Sequence, residues 1–115
     1  MYKLSRMQFF KLTVLSSCFL FLQLSLFAQD AVIKGKITDL KTKESLIGVN
    51  ITTQNNNSSI SDLNGAYELK LAEGNYTLTY SYVGYQDLTK TVELKANEIL
   101  EIDINLEEVA KDLLG

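Results

Sequence analysis

From Ala31 onward, apolar and polar residues alternate in short runs. Ala31, Ile33, Gly35 and Ile37 fall on one side, against Lys34, Lys36 and Thr38 on the other. Ile47, Val49 and Ile51 likewise oppose Gly48, Asn50 and Thr52; Tyr67, Leu69 and Leu71 oppose Glu68 and Lys70; Tyr76, Leu78, Tyr80 and Tyr82 oppose Thr77, Thr79 and Ser81. A two-residue period sets one face of a strand against a core and the other against water. Leu88, Val92 and Leu94 share a face of a further run; Lys90 intrudes there and must reach a sheet edge with its ammonium. Leu100, Ile102, Ile104 and Leu106 alternate with Glu101, Asp103 and Asn105 in one continuous last strand, and Ile60 anchors a short one.

Turn signals separate these seven strands: Asp39 to Ser45, the tract Gln54-Asn55-Asn56-Asn57-Ser58, Asp62-Leu63-Asn64-Gly65, Ala72 to Asn75 with a tight hairpin at Gly74-Asn75, and Val83 to Asp87. One-sided alternation predicts antiparallel sheets packed face to face, an all-β sandwich without a helix between Gln29 and Leu106.

The first residues follow another rule. Lys3, Arg6 and Lys11 precede an apolar run from Leu12 to Phe27 that ends at Ala28-Gln29-Asp30. A basic start, an apolar core and a small residue at its end predict a secretory signal peptide over 1–28. The run is shorter than the ~20 residues a membrane-spanning helix needs. Leu15-Ser16-Ser17-Cys18 resembles a bacterial lipidation site, but mostly apolar residues follow Cys18 where a lipidated protein carries a polar tether. The predicted organisation is a signal peptide at 1–28, one β domain at 29–106, and a linker at 107–115. In that linker Val109, Leu113 and Leu114 suffice for a helical turn or two at most.

Charge and composition narrow the chemistry. With Lys3, Arg6 and Lys11 set aside, 8 lysines face 14 acids, which disfavours nucleic acid and anionic membrane surfaces as partners. Histidine is absent and Cys18 is the single cysteine. Most of the usual zinc ligands, a Cys or His nucleophile–base pair and an internal disulfide are thereby excluded. Asp62-x-Asn64-Gly65, with Glu73 twelfth from Asp62, resembles the start of a calcium loop, but strand alternation fills its middle and favours a structural turn. The acid pairs Glu101/Asp103 and Glu107/Glu108 bring a glycosidase to mind; the first alternates with apolar residues and reads as a solvated strand face. Tyr76 and Tyr80 read as core. Tyr82 and Tyr85 flank Gly84, and Tyr82, Gly84 and Tyr85 are the candidate contact for a glycan or protein partner. No catalytic residue, metal site or cofactor is predicted.

Val32, Gly35, Ile37 and Asp39, then Leu46-Ile47-Gly48-Val49-Asn50-Ile51, then Ser61-Asp62-Leu63-Asn64-Gly65-Ala66-Tyr67-Glu68-Leu69, then Tyr76-Thr77-Leu78 and Tyr82-Val83-Gly84-Tyr85 resemble, in order, the carboxypeptidase regulatory-like domain. The resemblance spans Ala31 to about Leu106. It implies a seven-stranded, Greek-key, prealbumin-like (transthyretin-like) sandwich. Behind such a leader, it further implies the amino-terminal domain of TonB-dependent outer-membrane receptors, including the SusC-like glycan importers of Bacteroidota. There the domain stands in the periplasm of a Gram-negative cell ahead of plug and barrel, with the TonB system as the implied partner. The chain lacks the eight strands of roughly ten residues that the smallest barrel needs, so any membrane association would come through a downstream barrel. The expectation is a receptor fragment; the alternative is a free-standing secreted module that binds carbohydrate or protein.

Overall fold

The computed structural model describes residues 29–110. The predicted signal peptide, and residues 111–115 of the predicted linker, lie outside the described residues. Eight strands follow one another: β1 (Ala31–Asp39), β2 (Asn50–Thr53), β3 (Ser58–Ile60), β4 (Ala66–Leu71), β5 (Gly74–Ser81), β6 (Leu88–Leu94), β7 (Ile99–Glu101) and β8 (Ile104–Leu106). They form two four-stranded sheets. In one, β1 is central, with β4 on one side and β7 and β8 in succession on the other; the second has the order β3-β2-β5-β6.

The alternation read from the sequence sets the core. Ile33 and Ile37 of β1, Ile51 of β2, Leu78 and Tyr80 of β5, and Ile104 and Leu106 of β8 are almost wholly removed from water between the sheets. Lys90 is exposed on β6, an edge strand of the second sheet, as its intrusion on the apolar face requires.

Five local readings change. Ile60, read as the apolar anchor of its short strand, lies 63% exposed at the end of β3. The continuous last strand is two strands, interrupted at Ile102-Asp103. Both halves run parallel to β1 rather than antiparallel, pairing Val32 with Ile99 and Ile37 with Ile104, while β4 is antiparallel to β1. Ile47 does not share the inner face of Val49 and Ile51. Gly48, at φ +84°, turns the chain between them, so that Leu46 is buried and Ile47 remains 47% exposed. Gly74-Asn75 is not a tight hairpin: β4 and β5 belong to different sheets, and Ala72-Glu73 carries the chain across, with the Tyr76 hydroxyl donating to the Ala72 carbonyl at 2.8 Å.

The strand directions sort the loops into two ends. Loops 39–49, 60–66 and 81–88 and the residues after Leu106 share one end, the exit end; the start of β1 and loops 53–58, 71–74 and 94–99 share the other, the leading end. Pairing continues past Leu106. Gln86 N–H donates to Glu107 O at 2.9 Å and Val109 N–H to Gly84 O at 2.8 Å, so Glu107 to Val109 are bound to the sandwich rather than hanging from it.

Candidate functional site

The exit end gathers the residues singled out for partner contact. After β5, Tyr85 N–H donates to Tyr82 O at 3.1 Å, and Gly84 takes φ +85° to make that reversal. The Tyr82 and Tyr85 rings lie 5.6 Å apart, tilted by 48°, and both are half-buried against the core. Tyr82 also reaches the Gly48 loop, at 3.9 Å from the position a Cβ there would occupy. Tyr85 Oη donates to Asp39 Oδ2 at 2.6 Å, so its polar end is turned toward the protein.

Asp39, which sequence reasoning passed over as a site residue, organises this corner. Its Oδ1 accepts from the backbone N–H groups of Lys41 and Thr42 at 2.8 and 2.9 Å, closing the turn after β1. The Tyr85 hydroxyl, then the Thr42 and Lys41 amides, hold its carboxyl down to about 2. The same bond to Asp39 raises Tyr85 to about 12. The signal was present as an aspartate opening a polar run directly after a strand, a frequent turn-maker. Its tyrosine partner is 46 residues away, beyond the reach of local pattern.

Around this corner lie apolar side chains left in water: Leu40, Ile47, Leu63 (80% exposed) and Val83 (91%). The leading end presents Gln54-Asn55-Asn56-Asn57, Glu73, Lys95 and Asn97, with Ile99 as its one large apolar side chain in water among the described residues. The departing strand Glu107–Val109 therefore leaves through an apolar rim.

A second polar centre spans the core. Tyr67 Oη donates to the Ile102 carbonyl at 2.7 Å and lies 2.8 Å from Tyr80 Oη. Because a phenol has one proton, Tyr80 is the donor to Tyr67. Burial pushes Tyr67 far above the usual tyrosine range and raises Tyr80 as well. Gly35 makes this possible, since a Cβ there would lie 1.8 Å from the Ile102 oxygen. With Ile102 O turned inward, the Lys36 N–H that would have met it in a regular parallel ladder is taken by Asp103 Oδ1 at 3.0 Å.

The remaining candidates do not converge. Asp62 Oδ1 accepts from Asn64 and Ala66 N–H at 2.9 and 3.0 Å, and Glu73 lies at the far end of β4, so the calcium-loop positions are not brought together. Among the described residues, no cluster of three or more metal-ligating side chains occurs. A shallow concavity of about 560 Å³ on the outer face of the first sheet is lined by Lys34, Lys36, Glu68, Glu101 and Asp103, with Ser59 at its rim. It mixes both charge signs and does not include the Tyr82–Tyr85 turn. Glu101 and Asp103 are exposed, as their alternation suggested, but Asp103 serves the strand break.

Comparison with known proteins agrees with this architecture. A family model described as a CarboxypepD_reg-like domain matches residues 33–114. The TonB-dependent receptor SusC of Bacteroides thetaiotaomicron is 31% identical over 98 residues, 84% of this chain and 10% of SusC. Bacillopeptidase F of Bacillus subtilis is 31% identical over 86 residues, 75% of this chain and 6% of that protein. The chain thus spans a tenth or less of the length of these curated relatives. Among solved structures, the TIE protein of Bacillus anthracis superposes with a TM-score of 0.55 at 18% identity, covering 70% of this chain and 18% of that one, a likeness of fold.

Proposed function

Because the chain belongs to the carboxypeptidase regulatory-like domain family, we propose that it is the non-catalytic amino-terminal β-sandwich module of a TonB-dependent outer-membrane receptor for nutrient uptake, with glycan as the transported class. The observation that carries this reading is the likeness to SusC, which extends over 84% of the chain. A leader-like stretch directly ahead of Ala31 supports export, and a periplasmic position follows from export into the envelope of a Gram-negative cell. The exposed carboxylates that the structure engages, Asp62 and Asp103, serve a turn and a strand break, which supports a role without catalysis. The partner is the receptor's own plug and barrel. Their contact face is the rim of Leu40, Ile47, Leu63 and Val83 around the departing strand, where any continuing polypeptide emerges.

Fractionating cells that carry an epitope-tagged chromosomal copy tests the reading. The tag is expected in the outer-membrane fraction, on a product the size of a complete receptor, and digestible only after the outer membrane is permeabilised. A short tagged product in the culture medium would overturn it in favour of a free-standing secreted module contacting its ligand through Tyr82, Gly84 and Tyr85.

A further inference from the structure

The first and last strands of the sandwich are neighbours and run in the same direction. β1 begins at the leading end, and β7 and β8 lie along it in a single register that the break at Ile102-Asp103 does not shift. The chain then departs from the exit end. A pull between Gln29 and Ala110 therefore drives β1 and β7–β8 past each other lengthwise, loading all the bonds between them together. Pulling two adjacent strand ends apart would instead break the same bonds one after another, at lower force.

The seam is bonded from end to end. Val32 N–H donates to Glu98 O at 2.8 Å, Ile102 N–H to Lys34 O at 2.8 Å, and Leu40 N–H to Leu106 O at 2.9 Å. Across the break, Lys36 N–H reaches Asp103 Oδ1 at 3.0 Å and Thr38 Oγ1 reaches Asn105 Oδ1 at 2.6 Å. Tyr67 anchors the Ile102 carbonyl from the core side at 2.7 Å. On its other flank β1 is held by β4 from Ala31 to Lys36, so it cannot slide without disturbing the whole sheet.

From this topology we infer that the domain is a tension-bearing link, in which the parallel seam between β1 and β7–β8 acts as a shear clamp that resists pulling between its two chain ends. The origin of the pull, energised transport by a receptor, rests on the function proposed above; the clamp itself rests on strand order alone. Forced unfolding is governed by the barrier to rupture, which shear loading raises.

Single-molecule force spectroscopy on the full chain carrying Cys18→Ser tests the clamp. The chain is tethered in one arm through Gln29→Cys and Ala110→Cys, and in the other through Gln29→Cys and Ala96→Cys. The second pair joins two points at the leading end and peels β7 from β1. At one loading rate, the peak force is expected to be at least twofold higher in the end-to-end arm. Asp103→Ala should lower that peak and leave the peeling arm unchanged. Equal peaks in the two arms overturn the clamp, as does an Asp103→Ala effect of equal size in both. The length released, about 3.5 Å per tethered residue less the folded span, reports whether each molecule started folded; should Asp103→Ala not fold, the two-arm comparison decides alone. A strong clamp in a chain that fractionates into the medium would refute the receptor and leave the link standing.

Discussion

At the residue scale, the tyrosine pair in the core has a direction, and that direction predicts unequal effects of two similar substitutions. Tyr67→Phe strands two groups at once, the part-buried Ile102 carbonyl and the buried Tyr80 hydroxyl. Tyr80→Phe removes a donor but leaves Tyr67 bonded to Ile102. Unmet buried groups cost about 1–3 kcal/mol each, against about 1 kcal/mol for an ordinary bond lost. Urea titration should therefore find Tyr67→Phe less stable than Tyr80→Phe by about 1–5 kcal/mol; equal losses would mean that the proton runs the other way. Gly35→Ala is harsher, because its methyl would meet backbone rather than a flexible side chain. Overpacking alone costs about 1–3 kcal/mol, and the displaced Ile102 carbonyl would leave Tyr67 unpaired as well.

Asp39 links residue chemistry to pH. Its folded value, about 2, lies below that of an unfolded aspartate near 3.9. Its contribution is thus complete above pH 4 and is lost as pH falls toward 2. Tyr85, raised to about 12 by the same bond, contributes below pH 10 and loses that contribution as pH climbs toward 12. In Tyr85→Phe the carboxyl of Asp39 should titrate closer to 4, followed by its side-chain carbon chemical shift. A value still near 2 would assign the depression to the Lys41 and Thr42 amides.

At the element scale, strand existence and facing were legible because period-two alternation reflects burial directly. The core faces of β1, β4 and β5 came out as read. What escaped the pattern was decided by bonds between distant parts of the chain. Ile102 sits in phase with Leu100 and Ile104, yet its carbonyl turns inward because Tyr67 needs an acceptor and Gly35 leaves room. No local signal carries that. The glycine inside β1 was the visible trace, since a strand glycine often marks a close backbone approach. The parallel pairing of the last strands was equally hidden, because alternation reports which face a residue takes and not which neighbour it joins. Tyr82, Gly84 and Tyr85 do lie together, half-buried, in one turn, but the bond from Tyr85 to Asp39 that fixes the turn's orientation spans 46 residues and left no local signal.

Ser61 shows how one side chain can hold an irregular element. Buried beside the turn that precedes β4, its Oγ accepts from Val49 N–H at 2.9 Å and donates to Leu46 O at 2.7 Å. The segment Leu46–Val49 lacks strand pairing of its own, so these bonds replace a ladder. Ser61→Ala leaves an amide and a carbonyl unmet in the interior and should destabilise the domain by about 1–3 kcal/mol. Hydrogen exchange at Val49 should quicken well beyond exchange in β5. Uniform acceleration across the sandwich would show instead that the loop opens only with global unfolding.

At the scale of the whole molecule, the seam that would bear load also sets the folding problem. β1 is made first, but its partners in β7 and β8 lie 67 residues further along, so the closing contacts are far apart in sequence. Topologies dominated by such pairings fold on the order of milliseconds to seconds. Slower chemistry has no foothold: the chain contains no proline, and its single cysteine, Cys18, lies ahead of the sandwich, so neither prolyl isomerisation nor disulfide exchange adds a phase of tens of seconds or more. Refolding followed by tyrosine fluorescence, undisturbed in a chain without tryptophan, should fit one exponential. A second phase of tens of seconds would require an intermediate. If the seam closes after the transition state, Asp103→Ala should speed unfolding while leaving the folding rate nearly unchanged. The reverse pattern would place β7 and β8 in the folding nucleus, so that the seam would guide assembly as well as resist rupture.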